Sequence, residues 1–121
     1  MKLFVYGTLR KKHGNHFLLQ ESDFLGMAET EPKYTLACSG IPYLIKGSDN
    51  VTGEVYEVPP HVLSDLDLLE GHPDCYTRLP INVTMHNEPI TVEAYHWLHD
   101  DKADTKLYPR YKDYVTFTGR F

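Results

Sequence analysis

Pro60-His61-Val62-Leu63-Ser64-Asp65-Leu66-Asp67-Leu68-Leu69-Glu70-Gly71 reads as one helix. Proline suits the first helical position, and glycine just past the end is a stop signal. At about 100° per residue, Leu69, Val62, Leu66 and Leu63 fill one arc. Glu70 falls inside that arc, between Leu66 and Leu63, while Ser64, Asp65 and Leu68 point elsewhere. A surface carboxylate belongs on the polar face. This one points toward the core, and a buried carboxylate needs a partner or a chemical purpose. Its place at the negative end of the helix dipole adds to burial, and both raise its pKa. Two readings stand side by side: a base tuned toward neutral pH, or one half of an ion pair with Arg78.

Outside this helix the chain is a series of short strands. Leu3-Phe4-Val5-Tyr6 is a continuous apolar run and predicts a strand buried on both faces. Phe24–Glu29, Tyr34–Cys38 and Gly53–Val58 predict further strands. Gly40–Pro42 and Gly47–Asn50 read as turns. Ile81, Val83 and Met85 alternate with polar residues, as do Ile90, Val92 and Ala94, and Asn87-Glu88-Pro89 reads as the link of a hairpin. His13–Leu19 predicts a second, short helix. Residues 99–106 are polar and loop-like, and Leu107–Phe121 has no clear period. Five to seven short strands with one or two helices predict an α+β fold: a small, strongly curved, barrel-like mixed sheet with helices packed on it.

The 121 residues fit a single domain, 1–121, with a core of its own. A net charge of −5 gives no basic excess to meet phosphates, which argues against nucleic acid as the main partner. There is no apolar run of membrane-spanning length and no signal-peptide pattern at the start, so the expectation is a cytoplasmic protein with no membrane role. Cys38 and Cys75 make no disulfide framework.

Three constellations carry chemistry. At Tyr6-Gly7-Thr8-Leu9-Arg10 a strand runs into a glycine, where successive N–H groups can converge on an anion; the same residues also make an ordinary turn. Glu70 is the second. The third is Cys75-Tyr76-Thr77-Arg78: if it opens a strand, Tyr76 and Arg78 share a face and can reach Glu70 or a ligand, or Arg78 forms a structural ion pair. His13/His16 and His96/His99 have metal-clasp spacing without a third ligand in register, so no metal is expected. Cys75 and His72 are near in sequence, which is poor evidence for a thiol dyad. Asp100-Asp101-Lys102-Ala103-Asp104 reads as a solvated loop.

YGTLR at 6–10, GEVYEV at 53–58 and LDLLEGHPDCYTR at 66–78, in this order and spacing, resemble the gamma-glutamylcyclotransferase-like superfamily. The branch containing gamma-glutamylamine cyclotransferase is the most similar. The resemblance covers the first two-thirds of the chain. It implies a barrel-like domain with a pocket at one side that takes a small gamma-glutamyl substrate and needs no cofactor. It places Tyr6, Gly7, Thr8 and Leu9 in the segment that cradles the gamma-glutamyl group, and Glu70 at the catalytic glutamate. The implied reaction closes the gamma-glutamyl group to 5-oxoproline and releases an amine. The alternative is a non-catalytic module on the same scaffold that binds a metabolite or protein. Leaving-group selection is expected outside the motifs, in Tyr34–Leu44 or around Tyr108, Tyr111 and Tyr114.

Overall fold

The computed structural model describes residues 1–7, 9–39, 41–99 and 110–111. The elements in chain order are β1 (Lys2–Val5), a single 3-10 turn (His16–Leu19), β2 (Asp23–Thr30), β3 (Tyr34–Ser39), β4 (Ile41–Lys46), β5 (Thr52–Glu57), α1 (Pro60–Glu70), β6 (Thr77–Met85), β7 (Glu88–His96) and β8 (Arg110–Tyr111). Five strands close into a barrel in the order β1-β5-β2-β6-β7, and β4-β3-β8 form a separate small sheet. The barrel is mixed because β1 runs parallel to β7, with Leu3 opposite Glu93 and Phe4 opposite Ala94, whereas its other pairings are antiparallel.

The apolar run at β1 explains how the layers are joined. Phe4 and Tyr6 point into the barrel with Val55, Ile81, Val83, Val92 and Ala94. Leu3 and Val5 point the other way, into a second core with Val62 and Leu66 of α1 and Leu19 of the 3-10 turn. One strand buried on both faces therefore serves two cores. Leu36 and Leu44 of the β3–β4 hairpin close one end of the barrel core. The amide of Trp97, just past β7, donates to the Leu44 carbonyl at 2.8 Å and ties the hairpin to the barrel.

Three sequence expectations need correction. Residues 41–46 form β4, although Gly40–Pro42 reads as a turn and the rest lacks alternation. Leu44 is buried in the barrel's end and Ile45 is also covered, so both faces of this strand meet protein. The β6–β7 link is His86-Asn87, both at positive φ, with Met85 opposite Glu88; Glu88 and Pro89 already belong to β7. The helix expected over His13–Leu19 is only the four-residue 3-10 turn. The helix at 60–70 forms as read, with Pro60 at its start and Gly71 in the left-handed conformation (φ 66°) as its cap. The C-terminal tyrosines Tyr108 and Tyr114 lie outside the described residues.

Gly53 of β5 packs directly against β1. A Cβ at Gly53 would stand 2.5 Å from the Val5 carbonyl oxygen and 2.6 Å from the Phe4 ring. Backbone cannot yield there without opening the β1–β5 ladder. We expect Gly53→Ala to cost about 1–3 kcal/mol, read as a lowered urea midpoint with unchanged slope. A wild-type midpoint would show that the ladder adjusts freely.

Candidate active site

α1 delivers Glu70 to its end, and the chain then doubles back. The Gly71 and His72 amides close the helix on the Leu68 and Asp67 carbonyls. The Cys75 amide donates to the Gly71 carbonyl, and the Tyr76 amide donates to the Glu70 carbonyl at 3.1 Å. Tyr76 is thereby set beside Glu70. Both line a pocket of about 250 Å³. Its opposite wall is the end of β1 and the following bend: Val5, Tyr6, Gly7 and Leu9. Pro42 from β4, Tyr95 from β7, and Asn15 complete it. The pocket thus brings Tyr6, Gly7, Leu9, Glu70 and Tyr76 together. Thr8 lies outside the described residues.

Burial raises the Glu70 carboxyl to about 7. Desolvation is the cause, because low-dielectric surroundings disfavour the charged form. The ion pair between Glu70 and Arg78 is not formed. Arg78 instead grips Asp67 through Nε (2.9 Å to Oδ1) and Nη2 (3.1 Å to Oδ2), and reaches Glu93 through Nη1 at 3.1 Å. It is absent from the pocket lining, so Tyr76 and Arg78 part company: the first faces the pocket, the second clamps the helix. The Tyr95 hydroxyl also donates to Asp67 Oδ1, at 2.6 Å. Burial pushes the Asp67 carboxyl up, but these hydrogen bonds and the Arg78 charge outweigh it and hold it below its ordinary value.

Three tyrosine hydroxyls at the pocket have assigned proton acceptors. Tyr6 donates to the Tyr95 carbonyl at 2.6 Å, Tyr95 to Asp67, and Tyr76 to the Pro42 carbonyl at 3.3 Å. Burial, as the leading cause, and the nearby Glu70 charge push all three phenols well up, so they stay neutral. Behind Tyr76 the ring of Tyr43 stacks at 5.9 Å and 7°, and Trp97 meets both rings edge-on. This aromatic group fixes the Tyr76 wall.

Other candidates separate. His16 Nδ1 lies 2.9 Å from the Leu9 carbonyl oxygen, His96 is buried against the Tyr34 ring, and His99 Nε2 approaches the Asp74 and Cys75 carbonyls. Among the described residues no group of three metal-ligating side chains could hold an ion. His72 Nδ1 accepts the Arg78 amide at 3.0 Å, and Cys75 is exposed and absent from the pocket lining. No described helix is long and apolar enough to cross a membrane. Sequence reading missed Tyr95, Asn15 and Asp67. The spacing of Asp67, one turn before Glu70 on the same helix, is the one local signal that could have flagged it.

The closed mixed barrel thus carries a helix-borne, desolvated carboxyl in a tyrosine-lined pocket. The chain belongs to the gamma-glutamyl cyclotransferase, AIG2-like family, whose model matches residues 3–116. It is similar to a putative gamma-glutamylcyclotransferase of Methanocaldococcus jannaschii, 35% identical over 120 residues, 97% of this chain and 98% of that protein. It is 37% identical over 92 residues to gamma-glutamylaminecyclotransferase B of Danio rerio, covering 67% of this chain and 48% of that one. The crystal structure of an AIG2-like protein from Mus musculus has the same fold, with a TM-score of 0.80 at 27% identity over 93% of this chain and 86% of that one.

The raised carboxyl has a cost in stability. The folded value is about 7 against an ordinary 4.5. Between these values the folded protein keeps a proton that the unfolded chain has lost, so stability falls as pH rises through this window. Above it the cost levels off at about 3 kcal/mol. Glutamine cannot ionise. We therefore expect Glu70→Gln to be more stable than wild type by up to about 3 kcal/mol at pH 8 and by about 1 kcal/mol or less at pH 5. Urea unfolding at both pH values checks this, and an equal gap at both would refute the desolvated carboxyl.

Proposed function

We propose that this protein converts a gamma-glutamyl amine or peptide to 5-oxoproline and a free amine, with Glu70 as general base and then general acid. The observation that carries this reading is a carboxyl held near pKa 7 in the same pocket as Tyr6, Gly7 and Leu9. The substrate's alpha-ammonium is not nucleophilic. Glu70 takes a proton from it, and the freed amine attacks the gamma-carbonyl. A nitrogen–carbon bond forms and the gamma-amide bond breaks. The lactam nitrogen keeps one hydrogen; the two it gives up leave on the departing amine, passed by Glu70. A group with a pKa near the working pH can run in both directions, which an ordinary glutamate cannot.

The nucleophile is tethered to its own electrophile, so the pocket's main task is to hold the folded, ring-closing conformer. Good intramolecular geometry supplies on the order of 7–11 kcal/mol of a barrier. Backbone N–H groups after β1 suit a developing oxyanion. The Pro42 and Tyr76 side of the pocket suits the leaving amine, because it borders the aromatic group of Tyr43 and Trp97.

Glu70→Gln keeps the shape and removes the base. Release of 5-oxoproline from a panel of gamma-glutamyl amino acids and amines is expected to fall by about 10²–10⁴-fold, with binding of 5-oxoproline retained. Near-normal turnover in that variant would refute the mechanism. The wild-type kcat/KM is expected to rise with pH through an inflection near 7, because the base form of Glu70 increases as the proton leaves. An inflection near an ordinary carboxylate value would place the base in water rather than in the pocket.

A further inference from the structure

This inference rests on the reading just given and concerns the bend after β1. The YGTLR stretch at 6–10 ends in Arg10, which that reading leaves unused. Arg10 is fully buried and does not line the pocket. Burying a guanidinium is costly unless its donors are put to use. Its Nε donates to the Gly7 carbonyl at 2.9 Å, and the Arg10 amide donates to the same oxygen at 3.1 Å. A carbonyl oxygen has two lone pairs, so these two bonds take up its accepting capacity.

The Leu9 carbonyl is held in a similar way. Its oxygen lies 2.9 Å from His16 Nδ1. A carbonyl only accepts, so that nitrogen carries the proton. His16 is also outside the pocket lining, and its ring packs on Tyr56 with centroids 5.9 Å apart. Farther along, the Lys11 amide donates to Glu54 Oε1 at 3.0 Å, and the Tyr56 hydroxyl donates to the same atom at 2.8 Å. Glu54 is buried in β5. Backbone groups of Gly7, Leu9 and Lys11 are thus each fixed by a side chain that is not part of the pocket wall.

Gly7 and Leu9 themselves line the pocket. The direction of their carbonyls therefore decides which sign of potential the bend shows a ligand. Each peptide unit is a dipole of about 3.5 D. An oxygen aimed inward would repel the negative charge that grows on the gamma-carbonyl oxygen as the alpha-amine attacks it. We propose that Arg10 and His16 are positioning residues: by drawing these two carbonyls out of the pocket, they leave the bend to stabilise the oxyanion of the tetrahedral intermediate.

The test reads turnover and binding separately, with three variants. Arg10→Met removes the guanidinium. His16→Leu removes the donor to the Leu9 carbonyl, and His16→Asn keeps an amide N–H near the position of Nδ1. Arg10→Met and His16→Leu are expected to lower kcat for 5-oxoproline release by about 10–100-fold, with KM within about threefold. The inflection near 7 should persist, because Glu70 is untouched. His16→Asn should return to within about threefold of wild type. A raised KM with kcat unchanged, a moved inflection, or no recovery in His16→Asn would overturn the proposal. His16 is only partly buried, so the His16 pair carries the test if Arg10→Met does not fold.

The gamma-phosphonate analogue of glutamate places a tetrahedral anion at the reacting position. Calorimetry at pH 6 keeps Glu70 mostly protonated. There, His16→Leu should bind the phosphonate about tenfold more weakly than wild type does, whereas 5-oxoproline, whose lactam carbonyl is neutral, should change by less than about threefold. If the wild type turns over nothing in the panel yet shows this pattern, the reaction has failed and the positioning role stands. Equal weakening of both ligands, or no wild-type binding of the phosphonate, overturns that role.

Discussion

The bidentate grip of Arg78 on Asp67 is the contact on which the site depends. An eleven-residue helix is marginal alone in water. α1 has Pro59 at its N-cap with no side-chain cap bond, and only Val62 and Leu66 are fully buried. Two apolar side chains can hold a helix against a sheet and still let it roll. The Asp67 carboxylate removes that freedom. It is held by Arg78 from β6 and by the Tyr95 hydroxyl from β7. Because Asp67 lies one turn before Glu70, fixing it fixes the direction in which Glu70 projects. The chain of bonds continues: the Tyr95 carbonyl accepts the Tyr6 hydroxyl. Helix, β6, β7 and the end of β1 are joined through one carboxylate and one phenol. Partly buried, bidentate and charge-assisted, this bridge differs from the exposed pairs Lys33–Glu31 and His61–Glu21, which contribute little.

The two carboxylates of α1 show how environment divides roles between like groups. Asp67 and Glu70 are three residues apart, yet one is held below its ordinary pKa and the other is raised to about 7. Both are desolvated. Asp67 has a guanidinium and a phenol to compensate; Glu70 faces a pocket whose tyrosines have turned their protons away. Stability is gained at the first and lost at the second. Arg78 is shared with Glu93 rather than with Glu70, which leaves the Glu70 carboxyl without a cation to offset its burial.

What the sequence made legible were features carried by local periodicity. β1 reads as a doubly buried strand because four apolar residues run together, and it serves two cores. α1 reads correctly because Pro60 and Gly71 punctuate it, and Glu70 is legible from its angle on the helix. Its pocket position follows from that angle, although the neighbouring Leu69 in the same arc is 48% exposed. What was not legible depended on register between distant strands. Tyr95 alternates as a polar-face residue of β7 with Thr91 and Glu93, but the face dips under α1 at Tyr95 and is buried there, while Thr91 stays exposed. Arg78 could be paired with Glu70 or Asp67 only once β6 was placed beneath the helix. β4 was obscured by Gly40 and Pro42, whose turn chemistry masks a strand covered on both sides.

The pocket's location follows from having two cores on one strand. Along β1, alternate side chains belong to the barrel interior and to the layer under α1. Within the strand neither layer leaves room. At its end the chain bends away at Gly7, and the two layers separate: Tyr6 still closes the barrel, while Leu9 turns under the helix. The space between them is bounded by the end of α1, by Pro42 on the hairpin, and by the segment carrying Asn15. A carboxyl at the last position of α1 is the side chain that this seam can desolvate without burying it beyond a ligand's reach. One turn earlier the same group would enter the ion pair, as Asp67 does. The position of Glu70 is thus set by where the helix stops relative to where β1 ends, and Gly71, by stopping it there, shapes the pocket as much as the fold.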